Sequence, residues 1–399
     1  MKILITGATG YVASILIPEL IKHNHKLLLV SRNINDLKSK YPHLNICEYD
    51  KLAYHGKNYD VFLNLAVVNN NSRKKYPDFL KINRDLLYEL VQISKSIKIK
   101  YFLNIASFHQ LNMNDNSNYA KSKREGKRKI QKIKGLKILN IYLPFIYGNR
   151  WPKKIQILNY LPLRLSKLIF YIISAFFPTL NIKILATFIS QNLKSYKKND
   201  IYLHDSKSKN LCYILITRLI DVSISIFIIG VFGWLMIFIY FLIKFERIGN
   251  PIFIQKRIGQ NKKCFNLFKF RTMRPFTQEL GTHLISKNNV TKIGEYLRVF
   301  KLDELPQVIN ILKNELTFVG PRPSLLSQEA LIEKRQENKI LDIKPGLTGY
   351  SQINHIDMSD VNRLVKFDYY YFINKSLIID FKIIIKTFLG IGFKDNVIK

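Results

Sequence analysis

Cysteine is scarce in this sequence, which has three cysteines among 399 residues and no Cys-x-x-Cys pair. Disulfide scaffolds and thiolate zinc sites both need closely spaced cysteines, so the wide separation of Cys47, Cys212 and Cys264 excludes both classes and is typical of a reducing compartment. Glycine and proline are also few, at 17 and 13 residues. Fibrous and low-complexity chains are therefore excluded as well.

Acidic residues are under-represented, because 28 Asp and Glu stand against 63 Lys and Arg, for a net charge of +35. Such a surplus attracts nucleic acid, anionic lipid or phosphorylated substrates, although a Lys-rich composition without a binding face explains it equally well. Residues 121–137 hold nine basic residues and one acid, Glu125, which fits either a solvated helix face or an anionic-surface contact. No zinc-finger or RNA-binding aromatic pattern accompanies them, so nucleic-acid binding is not expected.

Long apolar segments are represented by a single uncharged run, residues 222–243. At about 1.5 Å per helical residue this run approaches the ~30 Å hydrocarbon core of a bilayer, so it predicts a membrane segment rather than a buried core helix. Basic residues flank both ends, so the positive-inside rule favours neither orientation. The run lacks proline, and Gly230 and Gly233 are the positions where a re-entrant helix could bend. The apolar stretch before Gly7 is too short for a signal peptide, so we expect the chain to begin in the cytosol.

Strand-like apolar runs alternate with helix-length segments in the first hundred residues. The runs are KILIT, KLLLV, VFLNLA and YFLNIAS, and the helix-length segments include 11–22 and 80–97. This rhythm predicts an α/β domain with a Rossmann-like, doubly wound parallel sheet over residues 1–205. A Lys-rich polar stretch at 193–210 predicts a linker to a second domain at 208–399.

The first strand leads into a glycine turn that is suited to a dinucleotide. Gly7 permits the tight turn, Gly10 lets backbone N–H groups approach a pyrophosphate, and the small Ala13 allows close helix–strand packing. The second strand ends in Ser31 and Arg32. An arginine at this place pairs with a 2′-phosphate, where an acid would bind the ribose of NAD, so NADP is the predicted cofactor; a surface arginine without a ligand is the alternative.

A phenol and an ammonium group lie four residues apart in the segment Tyr119-Ala-Lys-Ser-Lys123, on one face of a predicted helix. A neighbouring cation favours the phenolate, so this spacing suits acid–base chemistry, with Ser107 as a hydrogen-bond partner of the reacting oxygen. Tyr-x-x-x-Lys is also common on solvated helix faces, which is the alternative interpretation.

Together these residues resemble the short-chain dehydrogenase/reductase superfamily, in its nucleotide-sugar epimerase and reductase branch. The resemblance implies that Asp50 lies near the adenine, that Ala66 lies beside the cofactor, and that Asn83 is another matching position. It also implies that Tyr119 is the acid–base group, that Lys123 holds the nicotinamide ribose and lowers the Tyr119 pKa, and that Ser107 binds the carbonyl oxygen. Phe108-His109 replaces the acidic pair of dehydratases. NADP favours a UDP-sugar 4-keto reductase, with a 4-epimerase or a non-catalytic scaffold as alternatives.

The second half places cations and carboxylates in a pattern that suits phosphoryl transfer. Four basic residues follow the membrane segment: Arg257, Lys269, Arg271 and Arg322. Two adjacent acids, Asp303 and Glu304, precede Pro306. These acids fit a helix cap, and they equally fit an acid pair that binds Mg²⁺ and a diphosphate.

Residues 208–399 resemble the bacterial sugar transferases that are monotopic polyprenol-phosphate phosphoglycosyl transferases, through QKRIG, KFRTM, LDELPQ, VGPRP and KPGLTGYSQ. The resemblance implies an α/β membrane domain in which Asp303 attacks the diphosphate of a UDP-sugar, UMP is released, and polyprenol phosphate accepts the phosphosugar. Glu304 would hold Mg²⁺, and the four cations would neutralise the phosphates.

The combined prediction is a bifunctional enzyme at the cytosolic face of the bacterial cytoplasmic membrane. Its partners are a UDP-sugar, polyprenol phosphate and membrane lipid; a homo-oligomer stays open, as do the sugar, the polyprenol length and the glycan pathway. A membrane scaffold without catalysis is the competing class.

Overall fold

The computed structural model describes residues 1–70, 72–112, 115–193, 196, 198–247, 249–275 and 289–391. The chain folds as two compact units. The first consists of Met1–Leu168 with Pro178–Asp205, and the second consists of Ile169–Phe177 with Ser206–Lys399. The change of unit between Asp205 and Ser206 lies where the sequence predicts the end of the first domain, whereas the assignment of 169–177 to the second unit was not predicted.

The first unit is built on a parallel sheet of seven strands in the order β3-β2-β1-β4-β5-β6-β9. Two further strands, β7 and β8, pair with each other. The strands are β1 Lys2–Thr6, β2 Lys26–Val30, β3 Asn45–Cys47, β4 Val61–Asn64, β5 Tyr101–Ser107, β6 Lys137–Leu143, β7 Phe145–Tyr147, β8 Thr179–Asn181 and β9 Asp200–Tyr202. The strand order reverses direction beside β1, and ligands bind parallel α/β sheets at such a switch point.

Helices cover both faces of this sheet, because successive strand residues point to opposite sides. Ile3 and Ile5 enter one apolar cluster, whereas Leu4 enters the other, where the Phe62 and Phe102 rings stack at 5.0 Å. The helices are α1 Tyr11–Lys22, α2 Asn35–Lys40, α3 Leu52–His55, α4 Tyr76–Leu80, a π-helical segment Lys81–Leu86, α5 Leu87–Ser96, α6 Asn118–Ile130 and α8 Ile182–Thr187. Helix α7, Leu163–Ile173, begins in the first unit and ends in the second. The predicted Rossmann-like doubly wound sheet is confirmed.

Two local predictions in the first unit are wrong. The Lys-rich stretch at 193–210 is not simply a linker, because Asp200–Tyr202 forms β9 and extends the sheet beside β6. Ile201, which is fully buried, anchors the strand. The helix predicted over 80–97 is interrupted by the π-helical segment, in which Asn83 turns inward and is buried.

The second unit combines short sheets with helices, in agreement with the predicted α/β class. Its strands are β10 Ile252–Ile258, β11 Cys264–Phe270, β12 Thr317–Val319, β13 Ser324–Leu325 and β14 Gly346–Thr348. Its helices are α9 Leu211–Phe245, α10 Lys292–Val299, α11 Gln307–Leu312, α12 Glu329–Glu337, α13 Val361–Asn374 and α14 Leu377–Phe388. Strand β10 pairs antiparallel with β11 and β13, and β12 runs parallel to β14. The antiparallel β10–β11 hairpin and the β12–β14 pair contain or adjoin the site residues described below.

Helix α9 is the one helix of the described residues that is long and apolar enough to cross a membrane. Only 11% of its most apolar window is buried, so it is not the core helix of a soluble fold. Polar groups fasten its first half to the unit. Arg218 donates to the last two carbonyl groups of α11 at 2.7 and 2.8 Å, and Asp221 accepts from the Thr317 hydroxyl at 3.0 Å and the Phe318 N–H at 2.9 Å.

Candidate active sites

The glycine turn of the first unit has the geometry of a phosphate cradle. Gly7 has φ +70°, and a Cβ on it would lie 2.6 Å from the Ala66 nitrogen, so no other residue fits without displacing the backbone. Gly10 is the residue at which α1 begins, and its N–H donates to the Gly7 carbonyl at 3.0 Å. Ala13 is fully buried under the sheet. The positive end of α1 therefore faces the turn that follows β1.

The remaining predicted cofactor residues follow neighbouring parallel strands, so they all lie at the C-terminal ends of the strands in the sheet. Ser31 and Arg32 follow β2; Ser31 is buried and accepts from the Asn33 N–H at 3.1 Å, whereas Arg32 is exposed. Asp50 follows β3, and its carboxylate accepts the Lys51 N–H at 3.0 Å. Ala66 follows β4. This edge and the cradle fit a dinucleotide, with the exposed guanidinium available to a phosphate.

The predicted acid–base group of the first unit lies where α6 covers the end of β5. The Tyr119 hydroxyl is hydrogen-bonded to Ser107. The buried Lys123 ammonium donates to the Ile105 carbonyl at 2.9 Å. Burial raises the pKa of Tyr119 and the Ser107 hydrogen bond opposes that rise, while burial lowers the pKa of Lys123 to about 8. The structure thus brings Ser107, Tyr119 and Lys123 together. The expected lowering of the Tyr119 pKa by Lys123 is not found, because burial raises this pKa and the Ser107 hydrogen bond, rather than Lys123, opposes the rise.

Asn83 braces the helix that carries this group. Its amide donates to the Val68 carbonyl at 3.1 Å and to the Ser122 hydroxyl at 3.0 Å, while its oxygen accepts the Val68 N–H at 3.0 Å. Ser122 lies between Tyr119 and Lys123 on α6. A buried amide with three partners holds α6 against the loop after β4.

The acid pair of the second unit lies in a short 3₁₀ turn, Leu302–Glu304, and not at a helix cap. Lys301 precedes it with φ 58°, and α11 begins only after Pro306, with no side-chain cap. The helix-cap interpretation of Asp303 and Glu304 is therefore wrong, because α11 begins at Gln307 and no side chain caps it.

Glu304 is held by two cations. Its Oε1 accepts from Lys269 Nζ at 2.8 Å and from an Arg322 guanidinium nitrogen at 2.9 Å. Lys269 lies on β11, and Arg322 lies in the turn between β12 and β13. These cations outweigh burial and hold the pKa of the Glu304 carboxyl well below its usual range. Glu304 is therefore an ionised, charge-compensated carboxylate.

Asp303 differs from its neighbour in having a free oxygen. It is 6% exposed, and no hydrogen-bond donor in the described part of the chain reaches its Oδ1. Burial raises the pKa of Asp303, and the Glu304 charge adds to that rise while the Lys269 ammonium opposes it. A buried carboxylate oxygen without a protein partner is costly unless a ligand completes it.

The four predicted phosphate-binding cations do not all meet the acid pair. Lys269 and Arg322 contact Glu304 directly. Arg257 is buried and donates to the Gln255 side chain at 2.7 Å and to the Pro323 carbonyl at 2.9 Å, close enough to lower the Lys269 pKa. Arg271 donates to the Asn250 carbonyl at 2.7 Å and lies over a phenyl ring. The contacts place Arg271 at the edge of the hairpin rather than at the carboxylates.

Two sets of charged contacts around the acid pair were not predicted from the sequence. Arg298 and Lys301 lie close enough to Asp303 to oppose the rise of its pKa. Arg335 of α12 is buried with Asp368 of α13, to which it donates at 2.6 and 3.0 Å. The same guanidinium donates to the Arg322 carbonyl at 2.7 Å and thus holds the turn that carries Arg322. Its only sequence signal is a basic residue on an otherwise ordinary helix.

A divalent cation fits the acid pair. No group of three or more His, Cys, Asp or Glu side chains that could hold a metal occurs among the residues described above. Mg²⁺, however, usually takes one or two carboxylates and completes its shell with substrate phosphates and water. The unpartnered Asp303 oxygen next to the ionised Glu304 supplies such a pair.

Family comparisons divide the chain in the same way as its fold. The model described as bacterial sugar transferase matches residues 212–394, and the model described as NAD dependent epimerase/dehydratase family matches residues 3–176.

Curated relatives match the second half. An uncharacterised sugar transferase of Bacillus subtilis is 34% identical over 174 residues, which are 43% of this chain and 85% of that protein. The UDP-N-acetylgalactosamine-undecaprenyl-phosphate N-acetylgalactosaminephosphotransferase of Aeromonas hydrophila is 30% identical over 213 residues, 50% of this chain. The chain spans 49% of the length of that second relative.

Part of the chain is similar to a solved structure. The UDP-glucuronic acid 4-epimerase of Bacillus cereus, in complex with NAD, is 17% identical, covers 52% of this chain and 78% of its own, and has a TM-score of 0.41.

The lowered Lys123 pKa predicts a rise of stability with pH. The unfolded chain keeps this proton up to about pH 10.5, whereas the folded chain loses it near pH 8, so between these values the unfolded state binds more protons. The free energy of unfolding of the first unit should therefore rise by about 3 kcal/mol across this window. Denaturant titrations at several pH values should show this component disappearing in Lys123→Met and persisting in Lys121→Met, an exposed neighbour on α6. Equal pH dependence of the two variants would contradict the assignment.

The buried Arg335–Asp368 pair predicts a non-additive mutational cycle. Arg335→Met leaves the Asp368 carboxylate buried without its cation and should lower the free energy of unfolding by about 3–5 kcal/mol. Adding Asp368→Leu should recover part of this loss, and Arg363→Met, an exposed change on α13, should cost little. Denaturant unfolding of the detergent-solubilised chain measures the cycle. A double variant whose loss of unfolding free energy exceeds the summed losses of the two single variants would speak against the pair.

Proposed function

Because the chain belongs to the bacterial sugar transferase family and carries a domain of the NAD-dependent epimerase/dehydratase family, we propose that its second unit transfers a sugar 1-phosphate from a UDP-sugar to undecaprenyl phosphate. The named substrates of the Aeromonas relative support this donor and acceptor. The observation that carries the proposal is the contrast within the acid pair: Glu304 is bound by two cations, whereas Asp303 has a free oxygen.

The reaction proceeds by double displacement in this proposal. Asp303 Oδ1 attacks the phosphorus that bears the sugar, a new O–P bond forms, and the diphosphate bridge breaks so that UMP leaves with the bridging oxygen. A phosphate oxygen of the polyprenol then attacks the same phosphorus, the Asp303 O–P bond breaks, and a polyprenyl diphosphate sugar leaves. The carboxylate is regenerated, so atoms and charge balance over the cycle.

Cations around the pair favour this transfer electrostatically. Lys269 and Arg322 hold Glu304 in place and neutralise charge on the diphosphate, and Arg257 supports the Arg322 turn through the Pro323 carbonyl. Arg271 contacts a more distal phosphate. Mg²⁺ bound by Glu304, with the free oxygen of Asp303 beside it, would supply further neutralisation of the diphosphate.

Helix α9 associates with the membrane from one side in this proposal. It is one continuous helix from Leu211 to Phe245, so the bend predicted at Gly230 and Gly233 is not observed. Ile224 and Ile228 pack against one apolar cluster of the second unit, and Ile239 and Ile243 lie in another cluster of the same unit. Between them, residues 229–232 are exposed. A helix whose two parts both pack on one folded unit does not place that unit on both sides of a bilayer, which supports membrane association from one side rather than a crossing. The active site then lies at the cytosolic face of the bacterial cytoplasmic membrane, next to a lipid-borne acceptor.

The first unit reduces a 4-keto UDP-sugar with NADP in this proposal. Gly7 and Gly10 would hold the diphosphate of the cofactor while Ala13 packs α1 against the sheet, Arg32 with Ser31 would hold the 2′-phosphate, Asp50 would lie near the adenine, and Ala66 would lie beside the cofactor. Bound nicotinamide supplies the hydride. Tyr119 donates its proton to the carbonyl oxygen, Ser107 hydrogen-bonds that oxygen, and Lys123 holds the ribose. The exposed Arg32 favours this reductase over an NAD-dependent 4-epimerase or a non-catalytic scaffold.

Removal of the Asp303 nucleophile should abolish the transfer. Asp303→Asn should lower UMP release from UDP-sugars by about three orders of magnitude or more, because an amide oxygen does not attack phosphorus. The assay uses the full chain in membranes that contain undecaprenyl phosphate, and NADPH binding serves as a folding control. The matched variant Asp342→Asn removes an exposed acid and should retain full release. Full UMP release by Asp303→Asn would remove Asp303 from this role.

Loss of the Tyr119 hydroxyl should stop hydride transfer. Tyr119→Phe should abolish NADPH oxidation by 4-keto UDP-sugars, while NADPH binding and UMP release persist. Tyr54→Phe, at an exposed tyrosine of the same unit, should leave oxidation unchanged. If the unaltered chain oxidises NADPH with none of a panel of 4-keto UDP-sugars, the first unit is an epimerase or a scaffold instead.

A further inference from the structure

A strongly basic groove lies on the first unit, away from its proposed active site. It has a volume of 600 Å³ and runs between α5 and the end of α6. We call it the basic groove and define it by Tyr88, Lys95, Arg128, Lys129, Lys132 and Lys134, which line it. Arg128 follows Tyr119 by nine residues, about 14 Å along α6, so the groove is not part of the Ser107–Tyr119–Lys123 site.

The charge of the basic groove is mostly uncompensated. Lys129 pairs with Asp85 at 2.9 Å and lies over the Tyr88 ring at 4.7 Å. The other four cations of the groove have no ion pair with any described acid. Like charges gathered on one surface raise the local potential and attract anions.

Helix-end electrostatics explain only part of this cluster. Basic residues are favoured in the last turn of a helix, which accounts for Lys95 on α5 and Lys129 on α6. Lys132 and Lys134 come after α6 has ended. Gly135 then turns the chain with φ +84°, and a Cβ on it would lie 3.3 Å from the Lys95 side chain. The backbone turn therefore places the last two lysines beside Lys95, where no helix dipole requires them.

The form of the groove favours an extended anionic surface over a small anion. Lys95, Arg128, Lys132 and Lys134 are all exposed, so their heads keep their hydration and reach different points of a plane. A tight phosphate site has buried donors that converge on one point, which these cations do not provide. A second copy of the chain would bring like charges together, and that contact is unfavourable.

We propose that the basic groove docks on the anionic phospholipid headgroups of the membrane that holds α9. This inference rests on the proposed membrane location of the second unit. Docking would hold the first unit at the bilayer surface, where its product is delivered to a membrane-bound transferase. Polybasic surfaces bind anionic leaflets in this way, and the attraction is screened by salt.

Lysine footprinting of the full chain tests the proposal. The chain is reconstituted in nanodiscs of phosphatidylcholine alone or with added phosphatidylglycerol, acetylated briefly, and analysed by mass spectrometry. Acetylation of Lys95, Lys132 and Lys134 should fall about fivefold when phosphatidylglycerol is present, and high salt should remove the protection. Lys38 and Lys40, exposed on α2, which packs against the other apolar cluster of the same unit, should react equally in both discs.

A pair of variants separates docking from a general effect of charge. Lys132→Gln/Lys134→Gln should weaken the protection of Lys95 by phosphatidylglycerol, because fewer cations face the headgroups. The matched variant Lys38→Gln/Lys40→Gln removes the same charge elsewhere and should leave that protection intact. Equal effects of the two variants would overturn the assignment to the groove.

Other occupants give distinct results, each of which overturns the proposal. Protection in phosphatidylcholine discs by inorganic phosphate or by duplex DNA, with none from phosphatidylglycerol, would indicate a small-anion or a nucleic-acid site. Protection that depends on the number of chains per disc, and not on the lipid, would indicate a second copy. UMP release in the same discs without lysine protection would overturn this inference alone, whereas loss of both UMP release and disc association would overturn the proposed function.

Discussion

The second unit depends on one shared carboxylate. Glu304 accepts from Lys269 on a strand and from Arg322 on a turn, so three segments of the chain meet at one oxygen. A buried carboxylate is stable only when cations compensate it. Because both of these cations are engaged by Glu304, the adjacent Asp303 keeps an oxygen without a protein donor. The same electrostatic constraint therefore stabilises the pocket and distinguishes the two acids of the pair.

Interactions outside the pocket keep these three segments in position. The buried Arg335 holds the carbonyl of Arg322 while it pairs with Asp368, which ties the turn to α12 and α13. Asp221 and Arg218 connect the long apolar helix to β12 and α11. These two elements lie between the acid pair and that turn in the chain. The apolar helix is thus coupled by buried polar contacts to the elements that carry the candidate chemistry, which is the physical basis for placing that chemistry at a membrane surface.

Much of the first unit could be predicted from sequence, whereas the detail of the second site could not. The strands at 2–6, 26–30 and 101–107 and the helix at 11–22 agree with their predicted bounds, because continuous apolar runs between turn residues leave few alternatives. Strand β9 was missed because Ile201 is its one fully buried residue, and a single apolar residue within a Lys-rich stretch gives no strand pattern. The Arg335–Asp368 pair joins residues 33 positions apart, and no local pattern contains that information. The cap interpretation of the acid pair failed because α11 begins only at Gln307, beyond the acids, and no local pattern fixes that start.

The central claim is that Asp303 becomes covalently linked to the phosphosugar during transfer. The most direct measurement is mass spectrometry of the chain after brief incubation with a UDP-sugar and rapid acid quenching, without the polyprenol acceptor. The account predicts a phosphosugar adduct on the peptide that contains Asp303, which disappears when undecaprenyl phosphate is added. Transfer that proceeds while this peptide stays unmodified, or an adduct on another residue, would contradict it.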